Sequence, residues 1–212
     1  NYNLNITSSL QPKPIGTGDA VRCGLDKVKD HSKVLVLYGD VPLIRKETLQ
    51  NLIESSDSGL SILTTVLDKP FGYGRVKTND NNEALEIVEE KDATDEERQI
   101  QEIFTGVLCG SKALIEEGLS KITNNNAAGE FYLTDLVSII NEKGIRINTH
   151  KASNDEVKGA NSKQELEQLE TTYRAMKAED LFDKGITITD ASRLDVRGSV
   201  ECGRDCSIDV NV

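Results

Sequence analysis

The sequence predicts an α/β domain, then a helical linker, then the opening of a parallel β-helix. Three observations carry this expectation. Apolar runs with the character of buried strands alternate with segments whose apolar residues recur three and four apart. The stretch from Ser162 to Lys184 keeps a helical period throughout. Beyond it, apolar residues return every six positions. At 212 residues the chain has room for one full domain and an additional piece.

Gly16-Thr-Gly18 is a small-residue turn, and Val21, Leu25 and Val28 behind it mark a helix. Lys33 to Tyr38 is a continuous apolar run that reads as a strand covered on both faces in a mostly parallel sheet. Lys46 to Ser55 reads as a helix buried through Leu49, Leu52 and Ile53, and Leu60 to Leu67 as a strand. Gly72-Tyr-Gly-Arg75 opens a hairpin that turns at Asn79–Asn82 and returns through Leu85–Val88. Thr94 and Glu97 have capping-box spacing for a short helix. The pattern then gives a strand from Ile103 to Cys109, helices over Ala113–Lys121 and Thr134–Lys143, and a strand over Ile145–Thr149. Leu166, Leu169, Tyr173, Met176 and Leu181 form the stripe of the long helix that ends at Gly185. Two six-residue series follow: Leu194, Val200, Cys206 and Val212, and Val196, Cys202 and Ile208. The expected domains are residues 1–161, the helix 162–185, and 186–212.

With Lys and Arg at 25 and Asp and Glu at 36, the net charge is 25 − 36 = −11, which argues against nucleic acid and acidic lipid as partners. No apolar run approaches the roughly 20 residues that span a bilayer, and the start has no secretory signal pattern. Asn1 in place of an initiator Met suggests a removed or upstream segment. Cys23, Cys109, Cys202 and Cys206 are scattered, which suits structural thiols in a reducing cytoplasm better than a zinc site.

Several residues are candidates for chemistry. Asp40 ends a strand, where a carboxylate either holds a hard cation or supports the turn into Pro42. Gly16-Thr17-Gly18 is either a plain turn or a close approach of backbone amides to a ligand. It is neither a Walker loop nor a dinucleotide fingerprint. Glu89-Glu-Lys-Asp92 is either a solvated charge cluster or part of a strand-end site. Asn124–Asn126 reads as a loop, and Thr134 as a helix N-cap. No nucleophile–base pair or hydrolase triad is evident.

Long ordered runs go further than these motifs. Gln11 through Gly18, Leu35-Val-Leu-Tyr-Gly-Asp-Val-Pro-Leu-Ile44, Gly72-Tyr-Gly-Arg75, Val88-Glu-Glu-Lys-Asp-Ala-Thr-Asp-Glu96, Gln99-Ile-Gln-Glu102, Leu119-Ser-Lys-Ile-Thr-Asn-Asn-Asn126 and Gly129-Glu-Phe-Tyr-Leu-Thr-Asp135 closely resemble the bacterial bifunctional N-acetylglucosamine-1-phosphate uridylyltransferase/glucosamine-1-phosphate N-acetyltransferase family. Val196-Arg-Gly198 and Gly203-Arg-Asp205 resemble the entry into that family's left-handed β-helix.

The resemblance implies a Rossmann-like nucleotidyltransferase domain that joins UTP to N-acetylglucosamine 1-phosphate with Mg²⁺ and releases pyrophosphate. It places Gln11 and Gly16 on the uracil, Thr17 in the same nucleotide pocket, and Tyr38 and Gly39 beside the nucleotide-sugar. Asp40 and Asn161 would be the metal ligands, Gly74 and Glu89 would hold the sugar, and Lys91 would neighbour a phosphate. It also implies a role in supplying UDP-N-acetylglucosamine for peptidoglycan and lipopolysaccharide, and a homotrimeric parent.

Two departures qualify the resemblance. Phe104 in Gln101-Glu-Ile-Phe104-Thr-Gly106 stands where the family has a sugar-contacting Asn, which predicts a raised KM for the sugar phosphate. The family's first strand and its basic glycine-rich loop would precede Asn1, and nearly all of the acetyltransferase β-helix, with its acetyl-CoA site, would follow Val212. The chain alone is therefore expected to be inactive. The alternatives are another sugar-1-phosphate nucleotidyltransferase and a non-catalytic remnant.

Overall fold

The computed structural model describes residues 6–210. Its contacts divide the chain into two units: one holds the chain up to Gly39 together with Ile44–Val157, the other Asp40–Leu43 together with the chain from Lys158 onward. The expected boundaries at 161/162 and 185/186 differ from this division. Asp40–Leu43 and Lys158–Asn161 group with the long helix.

The first unit runs α1 (Thr17–Leu25), β1 (Lys33–Val36), α2 (Lys46–Ser55), β2 (Leu60–Val66), β3 (Arg75–Thr78), β4 (Ala84–Val88), β5 (Glu102–Ser111), α3 (Lys112–Leu119), α4 (Asp135–Asn141), β6 (Ile147–Lys151) and α5 (Asn154–Val157). Its sheet has the order β4-β3-β5-β2-β6, with β1 also paired to β5. This corrects the mostly parallel sheet. The strand β5 is antiparallel to β1, β2 and β3, β3 is antiparallel to β4, and of the described pairs in this sheet only β2–β6 is parallel. A strand with both faces covered reads as a continuous apolar run whichever way its neighbours point, so the run could not report direction.

Alternation along the central strands explains the two-sided burial. Leu60 and Ile62 of β2 and Phe104 and Leu108 of β5 join a core with Leu25, Ile115, Leu119, Leu136 and Ile140 from the helices. Leu63, Val107 and Cys109 meet Leu52 of α2 in a second core on the opposite face. β1 departs from the two-sided expectation: Val34, Leu35 and Val36 are only partly buried, and among the described residues the strand is paired along one edge.

The capping box at Thr94 forms as expected: Thr94 N donates to Glu97 Oε2 at 2.9 Å and Glu97 N to Thr94 Oγ1 at 3.2 Å. It opens a single 3₁₀ turn, Glu97–Gln99.

The second unit contains α6 (Lys163–Asp183), β7 (Thr187–Ile188) and β8 (Ser207–Ile208). Ser162 caps α6 by accepting from Glu165 N at 3.2 Å, while Glu165 Oε2 accepts from Asn161 N at 2.7 Å. The buried stripe of α6 is Leu169, Ala178 and Leu181; Leu166, expected in it, is exposed. β7 and β8 pair in parallel, twenty residues apart. Leu194 and Val196 are buried with Ile186, and Cys202, Cys206 and Ile208 pack against them. Val200 breaks its series at 42% exposure, and Val212 lies outside the described residues.

Candidate functional site

The first group of candidates is built on the turn into α1. Gly16 has φ 130°, and a Cβ there would lie 2.4 Å from Phe131 O, so the position requires glycine on both counts. The close approach is a small backbone ladder: Phe131 N donates to Ile15 O and Gly18 N to Phe131 O, each at 2.9 Å. Thr17 Oγ1 accepts from Leu133 N at 3.1 Å. The Gln11 amide donates to Gly16 O at 3.1 Å and to Asp19 Oδ2 at 2.9 Å, which makes Asp19 the residue that orients it. The small-residue turn is thus a docked backbone strip rather than a free loop.

A second group lies where β3 and β4 meet the segment before α4. Gly74 is buried, and a Cβ there would meet Ile87 at 2.7 Å, the Thr134 methyl at 3.6 Å and Glu89 Cδ at 3.7 Å. Thr134 Oγ1 donates to Glu89 Oε1 at 2.9 Å. Thr134 does sit before α4, yet its side chain makes no capping bond, because the hydroxyl is committed to Glu89. Glu89 is therefore no solvated surface charge. Burial pushes its carboxyl up, Asp92 and Glu130 add to that, and the Thr134 bond and the Lys91 charge oppose it. Asp135 beside it is pushed up to about 6, first by burial and then by Glu89, Asp92 and Glu86. Lys91 itself is exposed.

Tyr38 packs its ring over Gly106, where a Cβ would fall within 1.9 Å of the ring. Gly106 has φ 87° and lies in the bulge that shifts the β2–β5 register between Ile62 and Thr64. Gly39 has open space around it, so packing does not require its glycine. Phe104 follows the same strand into the core at 6% exposure, and its amide donates to Gly74 O at 2.9 Å. Its ring is a core side chain, so replacing it with Asn would test the core as much as the sugar.

In the second unit, Asp40 and the residues before Asn161 come together. Ala160 N donates to Asp40 O at 3.0 Å, and a Cβ on Gly159 would lie 3.5 Å from Asp40 Oδ2. Asp40 and Asn161 are both exposed. Among the described residues, no three His, Cys, Asp or Glu side chains cluster as metal ligands. The four cysteines are free thiols, with Cys109 buried and Cys23, Cys202 and Cys206 partly buried. No described helix is long and apolar enough to cross a membrane.

Within the first unit, the Gln11–Thr17 group and the Gly74–Glu89 group both rest on the strip Phe131–Thr134. Reading the sequence assigned no role to Phe131 or Asp19 and gave Thr134 only a cap. The available signal was their place in the run Gly129–Asp135, which carries part of the family resemblance.

Comparison with known proteins places the chain by family and fold. The chain is 47% identical over 213 residues to the bifunctional protein GlmU of Methylococcus capsulatus and 44% identical over 208 residues to that of Francisella philomiragia. These matches cover 99% and 98% of the chain but 46% of each relative, so the chain spans about half the length of the curated relatives it matches. A nucleoside-diphosphate-sugar pyrophosphorylase from Vibrio cholerae shares the fold with a TM-score of 0.57 at 15% identity, over 76% of this chain and 66% of that one. A Bacillus anthracis protein described as a glucose-1-phosphate thymidylyltransferase does so with 0.55 at 18% identity, over 75% and 61%. The family model described as nucleotidyl transferase matches residues 1–180, and the chain therefore belongs to the nucleotidyl transferase family.

Proposed function

We propose that this chain carries the base- and sugar-recognising part of an enzyme that transfers uridylyl from UTP to N-acetylglucosamine 1-phosphate. The observation that carries the reading is the convergence of two glycine-built groups, Gly16 with Gln11 and Gly74 with Glu89, on the strip Phe131–Thr134. The curated relatives at 44–47% identity point the same way.

In the proposed reaction a phosphate oxygen of the sugar phosphate attacks the α-phosphorus of UTP in line. The bond from that phosphorus to the bridging oxygen breaks, and pyrophosphate leaves. No covalent enzyme intermediate is needed, so the protein's task is alignment of two anions. Gln11, whose amide hydrogens are held by Asp19 and the Gly16 carbonyl, presents its amide oxygen to the uracil beside the Gly16 backbone. Thr17 is held by Leu133 in the same nucleotide pocket. Tyr38 and Gly39 flank the nucleotide-sugar. Gly74, packed too closely against Ile87 to carry a side chain, presents its backbone to the sugar, and Glu89, held by Thr134, accepts the sugar's hydroxyl or amide hydrogens. Lys91 offers its charge to a phosphate.

Asp40 and Asn161 supply a carboxylate and an amide oxygen, a hard donor set that suits Mg²⁺ already bound to phosphate. The fit rests on Asp40: its carboxylate is exposed, and glycine at 159 leaves open the approach to Oδ2. When bound, Mg²⁺ would neutralise charge on the transferring phosphates. The parallel β7–β8 ladder supports reading the C-terminal stretch as the first coil of a left-handed β-helix. The acetyltransferase activity, the homotrimer and a cytoplasmic location belong to the same proposal for a longer protein.

Phe104 favours a second reading, in which the sugar is a different hexose 1-phosphate, because a ring replaces the expected amide. Isothermal titration of the chain with UDP-N-acetylglucosamine, UDP-glucose and dTDP-glucose in Mg²⁺ separates the two. Preference for UDP-N-acetylglucosamine supports the first, preference for a hexose lacking the acetamido group supports the second, and no binding of any of them defeats both.

A further inference from the structure

Glu89 and Glu90, the two residues that follow β4, meet different partners. Glu89 turns toward Gly74 and Thr134. Glu90 meets Arg75, whose side chain is 2% exposed, with Nη2 2.6 Å from Glu90 Oε2. Arg75 Nη1 donates to Tyr73 O, and its Nε is buried without an acceptor among the described residues. Glu90 Oε2 also accepts from Gly72 N at 3.3 Å. Arg98 adds a donor to Glu90 O at 3.3 Å, and its Nε lies 3.5 Å from Glu90 Oε1. The Arg75 contact, helped by the Gly72 amide, holds the Glu90 carboxyl below the usual range while its neighbour Glu89 is raised.

The two members of this ion pair each sit one residue from a proposed sugar contact: Arg75 follows Gly74, and Glu90 follows Glu89. We infer that the Arg75–Glu90 pair is a positioning clasp for the sugar half of the site, an inference that rests on reading Gly74 and Glu89 as sugar contacts. The clasp ties the Gly72–Tyr73 turn, where Gly72 has φ 85°, to the end of β4. By holding the residues next to them, it sets the gap between Gly74 and the Glu89 carboxyl, while Phe104 N pins Gly74 O to β5. Stability alone does not call for an ion here, since well-packed apolar side chains replace buried pairs at little cost. Placement beside both contacts is what the charge pair adds.

The test titrates the chain and its Glu90→Ala and Glu90→Asp variants with two probes, UMP for the uracil half and UDP-N-acetylglucosamine for both halves. The clasp predicts that Glu90→Ala weakens UDP-N-acetylglucosamine about tenfold while UMP stays within about twofold. The shorter carboxylate of Glu90→Asp should lose about threefold, again for the sugar nucleotide only, and it decides the matter if Glu90→Ala does not fold. Parallel losses on both probes, or unchanged binding of the sugar nucleotide, overturn the clasp. If the unaltered chain binds UMP as tightly as UDP-N-acetylglucosamine, the sugar assignment of Gly74 and Glu89 has failed, and the clasp fails with it.

Discussion

Asp135→Asn is expected to stabilise the protein above pH 6 and to do nothing below pH 4. In the folded chain the Asp135 carboxyl is pushed from 3.8 up to about 6 by burial and by Glu89, Asp92 and Glu86. A raised acid is protonated in the native state and ionised in the unfolded state between those values, so native stability falls as pH rises through that window. A shift of about two pH units corresponds to about 3 kcal/mol of lost stability above pH 6, at about 1.4 kcal/mol per unit. Asp135 is only half-buried, so solvent screening discounts that figure; part of the repulsion is shared with Glu89, and Asn gives up about 0.5 kcal/mol of favourable charge at the start of α4. The expected gain is therefore about 1 to 2 kcal/mol at pH 8. Urea unfolding of the two proteins at pH 4, 5, 6, 7 and 8 measures it directly. Equal stabilisation at pH 4 and pH 8, or none at either, would show that the acidic cluster around Glu89 is not the source of the strain.

Gly16→Ala should cost more than about 2 kcal/mol, since it combines a strained φ with a Cβ 2.4 Å from a backbone oxygen, and melting temperature with UMP titration should fall together. Thr134→Val keeps the shape and removes the donor to Glu89, so the Glu89 carboxyl should rise further and UDP-N-acetylglucosamine binding at pH 7 should weaken by roughly tenfold, with carboxyl titration by NMR reporting the shift. Glu156 is buried and accepts from Arg45 N at 3.1 Å, Thr48 Oγ1 at 2.6 Å and Ser153 Oγ at 3.1 Å. Glu156→Ala should destabilise by about 1 to 3 kcal/mol in urea, and Glu156→Gln by less, because Gln retains an acceptor for the α2 amide.

Much of the fold was legible because local signals agreed with tertiary use. The helix Lys46–Ser55 and the hairpin around Asn79–Asn82 were both readable from spacing and turn residues, and each forms where those signals put it. Strand direction was not legible: the neighbour of β1 in space is β5, about seventy residues on, and nothing local to either encodes that they run antiparallel. The site was legible in part. Long ordered runs pointed to Gln11, Gly16, Gly74 and Glu89 through resemblance, whereas Thr134 was read as a cap because Ser and Thr before helices usually are caps.

The sequence by itself determined the alternation of elements, the glycines at 16 and 74, and the family to which the chain belongs, because periodicity, turn chemistry and ordered motifs are local properties of a chain. Only the tertiary structure decided that β5 runs against β1, β2 and β3, that Phe131–Thr134 backs both halves of the proposed site, and that Glu89 and Glu90 live in opposite electrostatic surroundings. Those facts depend on which distant segments meet and on what water each carboxylate loses, and neither is written in the spacing of residues along one strand.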